Sequence, residues 1–304
     1  MTVNTMDYFA SIDTLSEWAE YGKGLPSRKP IAPWEDISTF IKAGIELQNL
    51  NFNNALNDAK IIDGMFKRVG VQEPFLMDFS NNPSFSGVRE EKYSDYLAWI
   101  IKQMPDNTEW LLELFKICEE DIKSFELRGK KPNIKREVCV RYVGEGREGE
   151  SGRIDILILY ENVLIDVEVK ITDAEHAALG KNDDYRASLE ALYSKKIYKH
   201  FHLLLVTDAT NQYYNNDGSK DKSEWYKVIK WREVCYSLRQ LVALSGLSED
   251  KLLLKALIIS FVGTVEQALL GYRSLENRKY IDENSIIYIR ELAGKMQRKE
   301  NSNG

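Results

Sequence analysis

A chain of 304 residues with 43% hydrophobic and 29% charged side chains can bury a substantial core in one or two domains, which excludes wholesale disorder. Its net charge of −6 at pH 7 excludes a surface that binds nucleic acid indiscriminately, because phosphate neutralisation by Lys and Arg supplies most non-specific affinity; a local basic groove remains compatible with it. Cys118, Cys139 and Cys235 give neither a disulfide framework nor a zinc-binding spacing. No apolar run approaches the ~18–20 residues of a membrane span, and the first residues lack a basic stretch followed by an apolar one. A cytoplasmic protein without membrane contact is expected.

In chain order, residues 1–85 read as a mostly helical region. Trp18, Phe40, Ile41, Ile45, Leu47 and Leu50 suggest amphipathic segments, interrupted by Gly22–Pro26 and by Lys29-Pro30 with Pro33, and Leu56, Ala59, Ile62, Met65, Phe66 and Val69 recur at helical spacing. Ser80–Ser84 is turn-rich and marks a boundary. Beyond it, Glu90, Ser94, Leu97 and Ile101 share one helical stripe, so an acid joins a core-facing surface, and Pro105 helps to stop the helix. Glu91 and Asp95 face solvent beside it. A second helix is expected from Thr108 to about Leu127, capped by Asp106 or Asn107 and buried through Trp110, Leu111, Leu114, Phe115, Ile117 and Cys118. Pro132 to Val143 alternates imperfectly and reads as a strand. Gly144, Gly146 and Gly149 match G-x-G-x-x-G formally, but a strand rather than a helix follows and the loop is acidic, which excludes a dinucleotide site.

Arg153 to Lys170 alternates Ile154, Ile156 and Ile158 with Asp155, Leu157 and Leu159, then Val163, Ile165, Val167 and Val169 with Leu164, Asp166, Glu168 and Lys170. This period of two predicts a β-hairpin. If Glu161-Asn162 forms a two-residue turn, Tyr160 pairs with Val163, and the same register sets Asp155 across from Glu168, with Cβ atoms roughly 4.5–5.5 Å apart. Opposed like charges repel, and a face that also carries Leu157, Leu159 and Leu164 is covered. Such a face needs partners for its carboxylates or a metal between them, and hard cations such as Mg²⁺ take carboxylate oxygens.

After the hairpin, Leu189, Leu192, Tyr193 and Ile197 predict the buried stripe of a helix with Lys195, Lys196 and Lys199 near its end. Phe201 to Val206 reads as a buried strand reached by that helix, hence a parallel neighbour in the sheet. His200 and His202 alternate at its entry; the spacing could serve a metal, but with His176 the only other histidine packing or surface roles are the expectation. Trp225 to Val234 gives another strand entering a helix. From Ser248, a candidate N-cap, Lys251 to Tyr272 is apolar on nearly all sides, which places it in the core or at a contact in a homo-oligomer. Asp282 to Gln297 is amphipathic, and the last seven residues read as a solvated tail.

Asp155, twelve residues, then Glu168-Val169-Lys170, within strand–turn–strand and after Gly152-Arg153, resembles the PD-(D/E)XK nuclease superfamily, with Ile154 at the proline position. Arg89-Glu90-x-Lys92-x-Ser94 followed by Leu97-Ala98-Trp99 is similar to the first core helix of one branch. Val228-Ile229-x-Trp231-Arg232-Glu233-Val234 resembles its closing strand and helix. The resemblance spans roughly Arg89 to Leu241; the glutamine of a Gln-x-x-x-Tyr element is missing before Tyr185.

The resemblance implies an α/β restriction-endonuclease-like core at 86–241, with a mixed central sheet flanked by helices. Helical additions at 1–85 and 242–304 complete the expected organisation. It implies that Asp155 and Glu168 hold one or two Mg²⁺ or Mn²⁺ ions, with Glu90 contributing directly or through water. Lys170 would orient or help deprotonate the attacking water, and Glu137 occupies a position where the family often has another acid. Arg153, Lys195, Lys196 and Lys199 are the candidates for nucleic-acid contact. The expected reaction is phosphodiester hydrolysis, in DNA rather than RNA, and the commonest setting of stand-alone relatives is restriction or anti-phage defence. The alternatives are a nuclease-like module that binds nucleic acid or a protein without cutting, and a metabolic α/β enzyme built on His200 and His202.

Overall fold

The protein is described from a computed structural model that covers residues 34–85, 89–104, 108–117, 131–141, 151–160, 163–171, 187–189, 191–193, 199–207, 227–244, 247, 249–276 and 281–303. The elements are α1 (Trp34–Lys67), α2 (Glu90–Gln103), α3 (Thr108–Leu114), β1 (Asn133–Arg141), β2 (Ser151–Leu159), β3 (Val163–Val169), β4 (Lys199–Val206), β5 (Lys227–Lys230), α4 (Trp231–Ala243), α5 (Leu252–Thr264) and α6 (Glu283–Asn303). A π-helical turn over Val265–Leu269 continues α5. The chain divides into two compact units, one made of the segments up to Ser80 and from Tyr272 onward, the other of Asn81–Gly271.

The second unit is α/β: a five-stranded mixed sheet in the order β1-β2-β3-β4-β5, flanked by helices. The central strand β3 is buried at every position from Val163 to Val169, as its nearly unbroken run of Val, Leu and Ile requires of a strand covered on both faces. The β2–β3 hairpin has the register that a two-residue turn dictates. Tyr160 N–H donates to the Val163 carbonyl at 2.8 Å, and Ile156 pairs with Val167, Leu157 with Asp166, Ile158 with Ile165 and Leu159 with Leu164. β4 joins β3 in parallel, placing His200 beside Leu164, His202 beside Asp166 and Leu204 beside Glu168. β5 extends the parallel half and runs directly into α4. At that junction Lys230 N–H donates to the Glu233 carboxylate at 3.0 Å, satisfying one of the helix's orphan donors.

Helices α2, α4 and α5 meet through aromatic rings. Tyr93 and Trp231 centroids lie 6.0 Å apart, and Trp231 and Phe261 lie 6.1 Å apart. Arg239 of α4 and Glu266 of the π-helical turn form an ion pair with no exposed side-chain surface, Nε to Oε1 at 3.1 Å. The run Leu252–Leu269 corrects the expectation that no segment is apolar enough for a membrane span. By length and composition it qualifies, but 56% of it is buried, and it carries the buried Lys255 and Glu266, as suits a core helix. It stops before Gly271, whose φ of +75° is left-handed backbone that favours glycine.

In the first unit α1 packs against α6, burying Ile62, Phe66, Ile289, Leu292 and Met296. Tyr272 and Tyr288 stack with centroids 4.3 Å apart. The expected apolar face of α1 is only partly used, since Phe40, Leu47 and Leu50 are 80%, 58% and 56% exposed. Other expectations fail on local grounds. α3 ends at Leu114 rather than near Leu127, because Lys116 turns into left-handed backbone at φ +51°; Cys118 lies outside the described residues. Leu192 is 62% exposed, so among the described residues of the expected stripe Leu189 is buried and Tyr193 half-buried against the same core; Ile197 lies outside the described residues. The C-terminal residues are helical to Asn303 rather than a tail, held in part by the Arg68–Glu300 ion pair. Ser248 lies outside the described residues.

Candidate active site

The hairpin's register ladder ends at Ile156–Val167, and the side chain of Asp155 takes over where the backbone stops pairing. Its Oδ2 accepts the Val169 N–H at 2.8 Å. Glu168, one residue earlier on β3, is buried. Glu90 opens α2, where a carboxylate is favoured by the helix N-terminus. One carboxylate oxygen from each of Glu90, Asp155 and Glu168 lies within 4.8 Å of the other two.

Lys170 completes the group, with Nζ 2.7 Å from Glu168 Oε1 and 3.2 Å from Glu90 Oε1. Its backbone is fixed on both sides: the N–H donates to the Leu205 carbonyl at 2.8 Å, and its carbonyl accepts the Trp231 indole N–H at 3.1 Å. Arg136 of β1 ties the helix to the hairpin, donating from Nη1 to the Asp155 carbonyl at 2.8 Å and from Nε to Asp95 at 2.6 Å. The glutamate and lysine therefore stand on strands and a helix locked to one another, which is the rigidity a reactive constellation needs.

Electrostatics show what the chain alone does not balance. Burial pushes the Glu168 carboxyl up to about 8, with the adjacent Asp155 and Glu90 adding to the shift and Lys170 opposing it. Burial also raises Asp155, against the Val169 N–H and the positive charges of Lys170, Arg136 and Arg153. Glu168 Oε2 is buried and has no hydrogen-bond partner among the described residues. Three converging carboxylates, one with an orphaned buried oxygen, fit a hard divalent cation such as Mg²⁺ or Mn²⁺.

The structure thus brings Glu90, Asp155, Glu168 and Lys170 to one point. Glu137 stays outside this cluster, paired with Arg136 at 3.5 Å and Arg153 at 3.4 Å. Arg153 lies half exposed at the rim, also 3.8 Å from Glu91. Lys199 is the first residue of β4, not the end of the preceding helix, and its Nζ lies 5.4 Å from the Phe201 ring centroid. Lys195, Lys196 and Tyr185 fall outside the described residues. Sequence reasoning missed the positioning contacts of Arg136 and Trp231, and it missed the partner of the histidines: His200 and His202 both contact Asp166. No family model matches the chain, and no curated protein and no solved structure matches it.

Proposed function

We propose that this chain is a metal-dependent nuclease with a restriction-endonuclease-like core, hydrolysing phosphodiester bonds in DNA. The observation that carries this reading is the convergence of Glu90, Asp155 and Glu168 beside Lys170, with a buried Glu168 oxygen left without a partner. Glu90, Asp155 and Glu168 would hold Mg²⁺ or Mn²⁺. When bound, such an ion lowers the pKa of water and offsets charge on a phosphoryl group. The Val169 N–H fixes the Asp155 carboxylate and so aims it. Glu168 and Glu90 hold the Lys170 ammonium at the edge of the cluster, where it can orient a water and stabilise negative charge developing on a phosphate. The assignment to DNA and to a role in restriction or anti-phage defence rests on the sequence resemblance.

The test is cleavage of labelled single- and double-stranded DNA and RNA in Mg²⁺, Mn²⁺ or EDTA by the wild type, Asp155→Ala and Lys170→Ala. Expected is metal-dependent cutting of DNA that falls about 10²-fold or more in each variant. Well-folded wild type that binds these substrates but cuts none would overturn the reading in favour of a non-catalytic nuclease-like module.

A further inference from the structure

Two residues before Glu168, on the same face of β3, Asp166 is buried in full. Alternate residues of a strand point the same way, and a neighbouring strand lies about 4.8 Å off. β4 therefore sets His202 directly beside Asp166 and His200 one pleat away on that face. Asp166 Oδ1 meets His200 Nε2 and Oδ2 meets His202 Nδ1. The histidine rings stand 6.2 Å apart at 70°, and one donor atom from each of the three residues lies within 4.8 Å of the others. The His202 and His200 side chains are 3% and 10% exposed.

We infer that Asp166, His200 and His202 form a second metal site, distinct in chemistry from the carboxylate cluster and suited to a borderline divalent transition-metal ion, Zn²⁺ before Mg²⁺. Two imidazoles and one carboxylate are a donor set for such ions, whereas Mg²⁺ takes oxygen ligands. A tetrahedral centre with bonds of about 2.0–2.1 Å separates its donors by about 3.4 Å, a spacing within the distance that contains these three. Three protein donors leave one coordination position for water. The cation would bind a fully buried carboxylate that sits between two imidazoles, and would fasten β4 to β3 beside the strand position of Glu168. This inference does not depend on nuclease activity.

The full chain, stripped of metal by a chelator, is titrated with Zn²⁺ and with Co²⁺ while visible absorption and the melting temperature are read. Expected is one equivalent bound with the absorption of low-coordinate Co²⁺ and a rise in melting temperature on Zn²⁺ addition. Both signals persist in Glu168→Gln and are lost in His200→Asn and His202→Asn. If His202→Asn fails to fold, His200→Asn at the more exposed end of the cluster decides, its fold checked by circular dichroism. Zn²⁺ and Co²⁺ responses abolished by Glu168→Gln, or unchanged in His200→Asn, would overturn the site and leave a histidine–aspartate hydrogen-bond cluster.

Discussion

Because its carboxyl is pushed up to about 8 from 4.5, Glu168 in the metal-free fold holds a proton at neutral pH that the unfolded chain has released. The folded state binds more protons between those two values, so its stability falls as pH climbs from about 4.5 through about 8. Metal ligation requires the charged carboxylate. Melting of EDTA-treated protein should therefore drop across this range, and the gain on adding Mg²⁺ should be larger at pH 8 than at pH 6. Glu168→Gln should flatten the first trend and remove the second. Equal Mg²⁺ gains at both pH values would show that Glu168 does not ligate. At this scale Asp155, Glu168 and Lys170 were legible in the sequence because one strand period and one turn fix their register. Glu90 was legible through an acid on an apolar stripe. Asp166 was not, since its histidine partners lie 34 and 36 residues on, across a parallel pairing whose register no local turn sets.

Elements hold these side chains in place, and the junction of β5 with α4 does so through Trp231. Its ring is fully buried against Tyr93 and Phe261, while its indole N–H reaches the carbonyl of Lys170 at 3.1 Å. The sequence placed Trp231 where a strand enters a helix; the hydrogen bond was not legible, because it joins residues 61 apart. Trp231→Phe keeps an aromatic ring in the core and removes the donor. Expected is a loss of about 1 kcal/mol in urea denaturation, with a fall in cleavage rate, measured at saturating metal and substrate, that exceeds this modest destabilisation. A rate unchanged in a destabilised variant would confine Trp231 to packing. Helix ends resisted sequence reading for a related reason. The left-handed turn at Lys116 is set by backbone geometry rather than by Gly or Pro, and the last two turns of α6 are built of polar residues such as Arg298, Lys299 and Glu300, whose helix propensity is as good as that of many apolar ones.

Helices α1 and α6, far apart along the chain, share one unit because they bury apolar residues against each other. An amphipathic stripe announces that a face is covered but not which element covers it, so this partnership could not be read locally. The division into units carries a consequence for local stability, since cooperative opening follows contiguous packing rather than order along the chain. Met296 is fully buried on α6, and Met296→Asp would place a charge there without a designed partner, a change expected to destabilise by about 3 kcal/mol or more. Hydrogen exchange followed by mass spectrometry on the full chain should then show faster exchange in both α1 and α6, although 215 residues separate the end of one from the start of the other. The strands β2, β3 and β4 should keep their protection, and metal-dependent cleavage should persist. Loss of protection in the strands to the same degree would mean that the two units open as one, and that the sheet carrying Asp155 and Glu168 depends on the paired chain ends for its stability.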